Sequence, residues 1–223
     1  ILKITDWSVI NMRIMTAPER PRKRQRRPDA RPGEILEAAL DLFSERGFAA
    51  ARLEDVASRA GLSKASIYLY YKDKNSLLRA IVEAMAVTNL DAAVTMAGDH
   101  RGPVMPLLRN LLQYLGQRLA QGRLPDLIKL IISESRTHPD LGRLYLERVV
   151  SRAFPFFRSL IERGVASGEF RAVDADLAAR SLIGPMLLAA VWKSVFEPIG
   201  ADPLDSEALA RQHADILANG LLA

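Results

Sequence analysis

The sequence predicts an all-α protein, with a small basic head on the N-terminal side and a larger apolar helical body after it. Three observations predict this. Apolar residues recur three and four positions apart from Glu34 onward, which lines them up on one side of a helix. The interruptions fall at glycine and proline, among them Gly47, Gly61, Gly98, Gly102-Pro103, Gly122, Pro139, Gly168 and Gly200 to Pro203. These are helix stop signals. No alternating strand pattern or Asn-Gly turn competes with them.

Composition narrows the class. The 223 residues are 49% hydrophobic and 26% charged, enough apolar material for a buried core. There is no cysteine, so disulfides and thiolate chemistry are excluded. Neither a signal peptide nor an uninterrupted apolar run of membrane-spanning length is expected. The first residue is not Met, and Met12 and Met15 are the candidate translation starts. The net charge of +5 is unevenly placed. Residues 1–80 hold 16 Lys+Arg against 10 Asp+Glu, leaving 15 against 16 in the remainder. Positive charge confined to one end points to a polyanion-binding head on a neutral body.

The elements follow in order. Residues 20–32, RPRKRQRRPDARP, repel one another and carry helix-blocking prolines, so a flexible arm able to neutralise phosphates is expected. Ile35, Ala38, Ala39, Leu42 and Phe43 form the inner side of a first helix that Gly47 ends. A second helix starts near Leu53, with Leu53, Val56, Ala57 and Ala60 on one face, and stops at Gly61. Ser63 is placed to cap a third, about two turns long and ending near Tyr70. Asp73 caps a fourth, with Leu77, Leu78, Ile81 and Met85 inside. Further helices are expected at about 104–120, 125–136, 139–167, 174–196 and 205–221.

The second and third helices satisfy the demands of a helix-turn-helix. Their steep crossing needs a small residue, Ala57, a turn free of Cβ strain, Gly61, and a branched apolar lock, Ile67. Val56 and Leu62 are further anchors. Ile67 and Tyr71, four apart, share the buried face. Tyr68 lies about 100° away and groups with Lys64 and Ala65 on the outer face. That face suits a major groove. Lys64 reaches guanine or phosphate, and Ala65 is small enough to meet a thymine methyl. Ser66 and Tyr70 flank it with hydroxyls for phosphate oxygens, although Tyr70 is equally suited to packing. Lys74, in the first turn of the next helix, is expected on a phosphate.

The run RPGEILEAALDLFSERGF…RLEDVASRAGLSKASIYLYYKDKNSLLRAIVEA resembles the DNA-binding module of TetR-family transcriptional regulators, over about residues 31–91. The resemblance implies a homodimer, a helical C-terminal ligand-binding domain and, usually, repression relieved by a small molecule. Carried over by position, it puts DNA contacts at Arg52, Lys64, Ala65, Ser66, Tyr68, Leu69, Tyr70 and Lys74. The chain departs from the family pattern at three places. Ala65-Ser66 stands for Gly-Thr, Arg52 for the usual capping Thr, and Asn75 for an acidic residue. The stretches SESRTHPDLGRLYLERV and FRSLIERGVASGEF more loosely resemble the AefR-like C-terminal type. The implied organisation is a basic arm at 1–30, a head at 31–91 with its helix-turn-helix core at about 54–73, and a ligand-binding and dimerisation body at 92–223.

The body carries no catalytic signature, phosphate loop or metal-ligand spacing. No enzyme activity, cofactor or metal is therefore expected, and His100, His138 and His213 read as surface or cap residues. Leu182, Ile183, Met186, Leu187, Ala190 and Val191 form a stripe suited to pairing the last two helices with a twofold copy, or to the protein's own core. Tyr114, Phe154, Phe157, Met186 and Trp192 are candidate walls of a pocket for an unknown effector, and equally candidate core. Pro155 is expected to kink its helix. The expectation is a cytoplasmic, dimeric repressor of a palindromic operator, released by a small molecule. An activator, a repressor without effector, and a helical carrier without DNA specificity are the alternatives.

Overall fold

The computed structural model describes residues 31–222, and those residues form eleven α-helices. The expected arm at residues 1–30 lies outside them. Its presumed end does not, since α1 (Arg31–Ala50) already includes Pro32 in its first turn. Proline belongs there, because that turn has no intrahelical use for its missing N–H. The helix breaks at Gly47, whose φ is 78°. α2 (Leu53–Arg59), α3 (Lys64–Tyr68) and α4 (Lys74–Val82) complete the head. Ile35, Ala39, Leu42, Phe43, Val56, Ala57, Ile67, Leu77 and Ile81 are all buried in its core. The helix-turn-helix anchors therefore sit where their spacing requires.

The turn between α2 and α3 depends on Gly61, at φ 67°. A Cβ there would meet no atom within 4 Å, so any cost of Gly61→Ala is conformational. Left-handed backbone costs a non-glycine residue about 1–2 kcal/mol, offset in part by a stiffer unfolded chain. Urea denaturation of Gly61→Ala should show a net loss of about 1 kcal/mol.

The body comprises α5 (Thr88–Asp99), α6 (Val104–Gln121), α7 (Leu124–Glu134), α8 (Pro139–Tyr145), α9 (Ser151–Ala166), α10 (Ala175–Val191) and α11 (Ser206–Leu221). Three π turns, at Glu83–Val87, Leu146–Val150 and Trp192–Phe196, interrupt helices that the sequence presents as continuous. Hydrophobic spacing is blind to one extra residue per turn, so it gave no warning. The irregularity expected at Pro155 falls a turn upstream, at Leu146–Val150. Ala175–Ile199 is long and apolar enough to cross a membrane by composition alone. In the fold it packs against α6, α7, α9 and α11.

Contacts at both ends of α1 help to fix head to body. Arg123, at the start of α7, donates to Asp126 (2.6 Å), to Asp41 (2.6 Å) and to Glu37 (2.8 Å), the last two on α1. At the other end of α1, the Lys74 ammonium donates to the carbonyls of Phe48 (2.6 Å) and Ala49 (2.9 Å) and lies 4.8 Å from the Phe48 ring centre. Phe48 meets His138 edge-on at 5.6 Å, and His138 Nε2 is 3.8 Å from the Glu134 carboxylate. His138 thus belongs to the joint. His213 corrects the surface reading outright, being buried with a ring nitrogen 3.2 Å from the Leu182 carbonyl. A single histidine carries no periodic signal, and only the packing of α10 on α11 reveals its place.

Candidate nucleic-acid interface and ligand cavity

α3 is short and its order comes from its ends. Ser63 accepts a hydrogen bond from the Ser66 N–H (3.1 Å), and the two hydroxyls lie 2.7 Å apart. Ile67 is its buried residue, at 0% exposure. Asp73 caps α4 by accepting from the Ser76 N–H at 2.7 Å, and the Ser76 hydroxyl oxygen accepts in return from the Asp73 N–H. Both caps were legible in sequence. With Ile67 and half-buried Tyr71 inward, the other side of α3 is bare. Lys64, Ala65, Tyr68, Leu69 and Tyr70 are exposed, as is Arg52 ahead of α2, while Ser66 is half-buried. Leu69 is 85% exposed.

Sequence reasoning missed Glu54. Its carboxylate lies 3.0 Å from the Lys64 ammonium and accepts from the Tyr68 hydroxyl at 3.1 Å. Lys64 and Tyr68 are one turn apart on α3, and Glu54 on α2 holds both. Only the crossing of the two helices brings it there, so no spacing within either helix could show it. The Lys64 hydrogen bond, followed by a backbone N–H and the Tyr68 hydroxyl, holds the Glu54 carboxyl down to about 2. A depressed carboxyl stabilises the fold above its unfolded value and loses that contribution as pH falls. The cluster should therefore be intact above about pH 4.5 and come apart as pH falls through about 2. A Glu54 side-chain NMR titration with a midpoint near the ordinary value would contradict this.

Lys74 is less free than its sequence position suggests. Two of its contacts go to the α1 carbonyls just described, and desolvation there lowers its pKa. An ammonium has three protons, so one remains for a phosphate.

The body holds a cavity of about 250 Å³, walled by α5 to α10 and open to solvent on one side, where the lining residue Leu187 is exposed. Tyr114, Phe154, Phe157 and Met186 line it. Trp192 does not. Its indole N–H donates to the Asp202 carbonyl at 2.9 Å and its ring packs on Phe196. Six residues beyond Met186, helical rotation carries Trp192 about 120° off the cavity face. The sequence does not place Asn89, Tyr145 or Leu187 on a cavity wall, yet they line it too. Two of the π turns border it, through Ala86 and through Val149 and Val150. Of the proposed pairing stripe, Leu182, Met186 and Ala190 are buried in the protein's own core, Ile183 and Val191 are half-buried and Leu187 is exposed. Leu177, Leu188, Ile199 and Ile216, which the stripe did not include, are exposed as well.

A capped, half-bare second helix of a helix-turn-helix, joined to a helical body with an apolar cavity, defines a DNA-binding transcription regulator. Comparison with known proteins gives the family. Residues 35–81 match the family described as "Bacterial regulatory proteins, tetR family", and residues 94–211 match "Tetracyclin repressor-like, C-terminal domain". The chain belongs to the TetR family, which is made up of transcriptional regulators. It is 28% identical over 160 residues to the HTH-type regulator YfiR of Bacillus subtilis (strain 168), covering 69% of this chain and 75% of that one. It is 26% identical over 193 residues to the HTH-type transcriptional repressor KstR2 of Rhodococcus jostii (strain RHA1), covering 84% and 89%. In fold it resembles the ketosteroid transcriptional regulator KstR2 of Mycobacterium tuberculosis, with a TM-score of 0.70 at 20% identity over 88% of this chain and 97% of that one.

Proposed function

We propose that this protein is a cytoplasmic homodimeric repressor that binds a palindromic operator through α3 and lets go when a small molecule occupies the cavity. The bare polar face of α3 carries the reading. Lys64, Ala65, Tyr68 and Leu69 address the bases, while Arg52, Ser66, Tyr70 and Lys74 address phosphates. The head is residues 31–91 and the body residues 92–223, the boundary falling within α5. Dimerisation uses α10 and α11, where Leu177 and Leu188 on α10, Ile216 on α11 and Ile199 in the turn between them leave apolar surface exposed. A second copy is the natural cover for such a surface.

Release is geometric. Two α3 helices must enter major grooves about 34 Å apart. α4 runs through the Glu83–Val87 π turn into α5, so one continuous rod joins Lys74 in the head to Ala86, Asn89 and Ala93 on the cavity wall. A ligand that favours a tilted rod lowers operator affinity by its differential affinity for the two states. Fluorescence anisotropy on operator DNA tests the face assignment. Lys64→Ala should change preference among bases, whereas Lys74→Ala should weaken binding alike on all sequences. Equal, sequence-independent losses from both would contradict it.

A further inference from the structure

Every side chain lining the cavity is uncharged, and only Asn89, Tyr114 and Tyr145 are polar. Asn89 is already engaged at both ends. Its amide donates to the Met85 carbonyl at 2.6 Å, and its oxygen accepts from the Tyr114 hydroxyl at 2.9 Å. Among the described residues the Tyr145 hydroxyl has no hydrogen-bond partner, so it is the remaining polar handle. Burial pushes it up to about 12, which keeps it a neutral phenol and a hydrogen-bond donor. The acidic and basic groups nearest in sequence turn away from the cavity. Glu83 pairs with Arg148, and Asp91 with Arg152 at 2.5 Å, bracing α9 and its preceding turn against α5 and its own. A buried charge without a partner is strongly disfavoured. Cavity size sets the scale. A 150 Å³ apolar cavity takes up benzene, so about 250 Å³ suits about ten non-hydrogen atoms.

From these walls we infer that the effector is an uncharged lipophilic molecule of about ten non-hydrogen atoms, carrying a carbonyl oxygen that accepts a hydrogen bond from Tyr145. The inference rests on the cavity being the effector site, as proposed above. No wall offers a charged group to a carboxylate, an ammonium or a phosphate, which disfavours a free fatty acid, an amine and a nucleotide-bearing thioester. Two contacts tie up one Asn89 N–H, the Asn89 oxygen and the Tyr114 proton, and the second Asn89 N–H is a neutral donor that does not replace a cation opposite an ionised group.

The test uses the full chain in calorimetric titrations with 2-nonanone, nonane, octanoate and octanoyl-coenzyme A near neutral pH. The ketone should bind at least tenfold more tightly than octanoate or the thioester, since only they bring charge to an uncharged wall. Tyr145→Phe should weaken the ketone about fivefold, the worth of one hydrogen bond, and leave nonane unchanged. Ala153→Leu fills the cavity from α9 and should abolish ketone binding while the protein stays folded. The inference is overturned if octanoate or octanoyl-coenzyme A matches the ketone, if Tyr145→Phe leaves the ketone unaffected, or if the ketone fails to bind a protein that still binds its operator. Ketone binding that leaves operator affinity untouched would break the effector reading instead, with the ligand class intact.

Discussion

Ile67→Ala is expected to destabilise the protein by about 3 kcal/mol and to abolish operator binding, although it removes no DNA-facing group. Ile67 is the one buried residue of α3, a helix of five residues. A helix that short cannot sustain itself in water, because nucleation is unfavourable and few bonds follow to offset it. Its position on the head is set chiefly by Ile67 and its caps, with the exposed Glu54 contacts to Lys64 and Tyr68 adding little. Truncation removes the lock and leaves a void in the core that Ile67 shares with Val56, Ala57 and Leu77. Lys64→Ala is the counter-example. Lys64 is exposed on the surface, so its removal should change stability by under about 0.5 kcal/mol while altering DNA affinity. Urea denaturation alongside DNA anisotropy separates the two. An Ile67→Ala protein that binds operator like the parent would show that α3 is not held as described.

The second large effect is expected at Arg123→Met. The guanidinium uses all three of its nitrogens, reaching Glu37, Asp41 and Asp126 at once, and its side chain is 32% exposed. Removing it leaves three acidic groups facing one another at the seam between α1 and α7. Exposed pairs are individually weak, but a shared cation with three partners is a network, and its loss should cost about 2 kcal/mol. The functional consequence is larger than the stability loss. The head is expected to unfold apart from the body, so calorimetry should resolve two transitions where the parent is expected to give one. Arg123→Lys should not restore the parent behaviour, because an ammonium lacks the planar fork that spans three carboxylates. A single transition with stability within about 0.5 kcal/mol of the parent would contradict this role.

Much of the fold was legible because it is written in local signals. Ser63 and Asp73 announce their caps, Gly61 its turn, and Ile67 and Tyr71 the inner side of α3. Each depends on neighbours within one or two helical turns. What the sequence concealed depends on distant partners. Glu54 meets Lys64 and Tyr68 only through the crossing of α2 and α3. Lys74 finds the Phe48 and Ala49 carbonyls only because α4 starts beside the end of α1. Arg123 joins residues more than eighty positions away. His213 and Trp192 exchange their expected surroundings for the same reason. The π turns were hidden differently, since one inserted residue shifts helical phase without changing composition. In the cavity, aromatic and methionine content pointed to Tyr114, Phe154, Phe157 and Met186. Nothing local marked Tyr145, which lines the cavity from the end of α8.

The most direct measurement is a hydroxyl-radical footprint of the protein on the intergenic DNA beside its own coding region, at low salt. The account expects two protected half-sites on one face of the duplex, centred about 34 Å apart and related by a dyad. Lys64→Ala should shift or relax that protection. Uniform protection without half-sites, or none at all from folded protein, would contradict a paired, groove-reading α3.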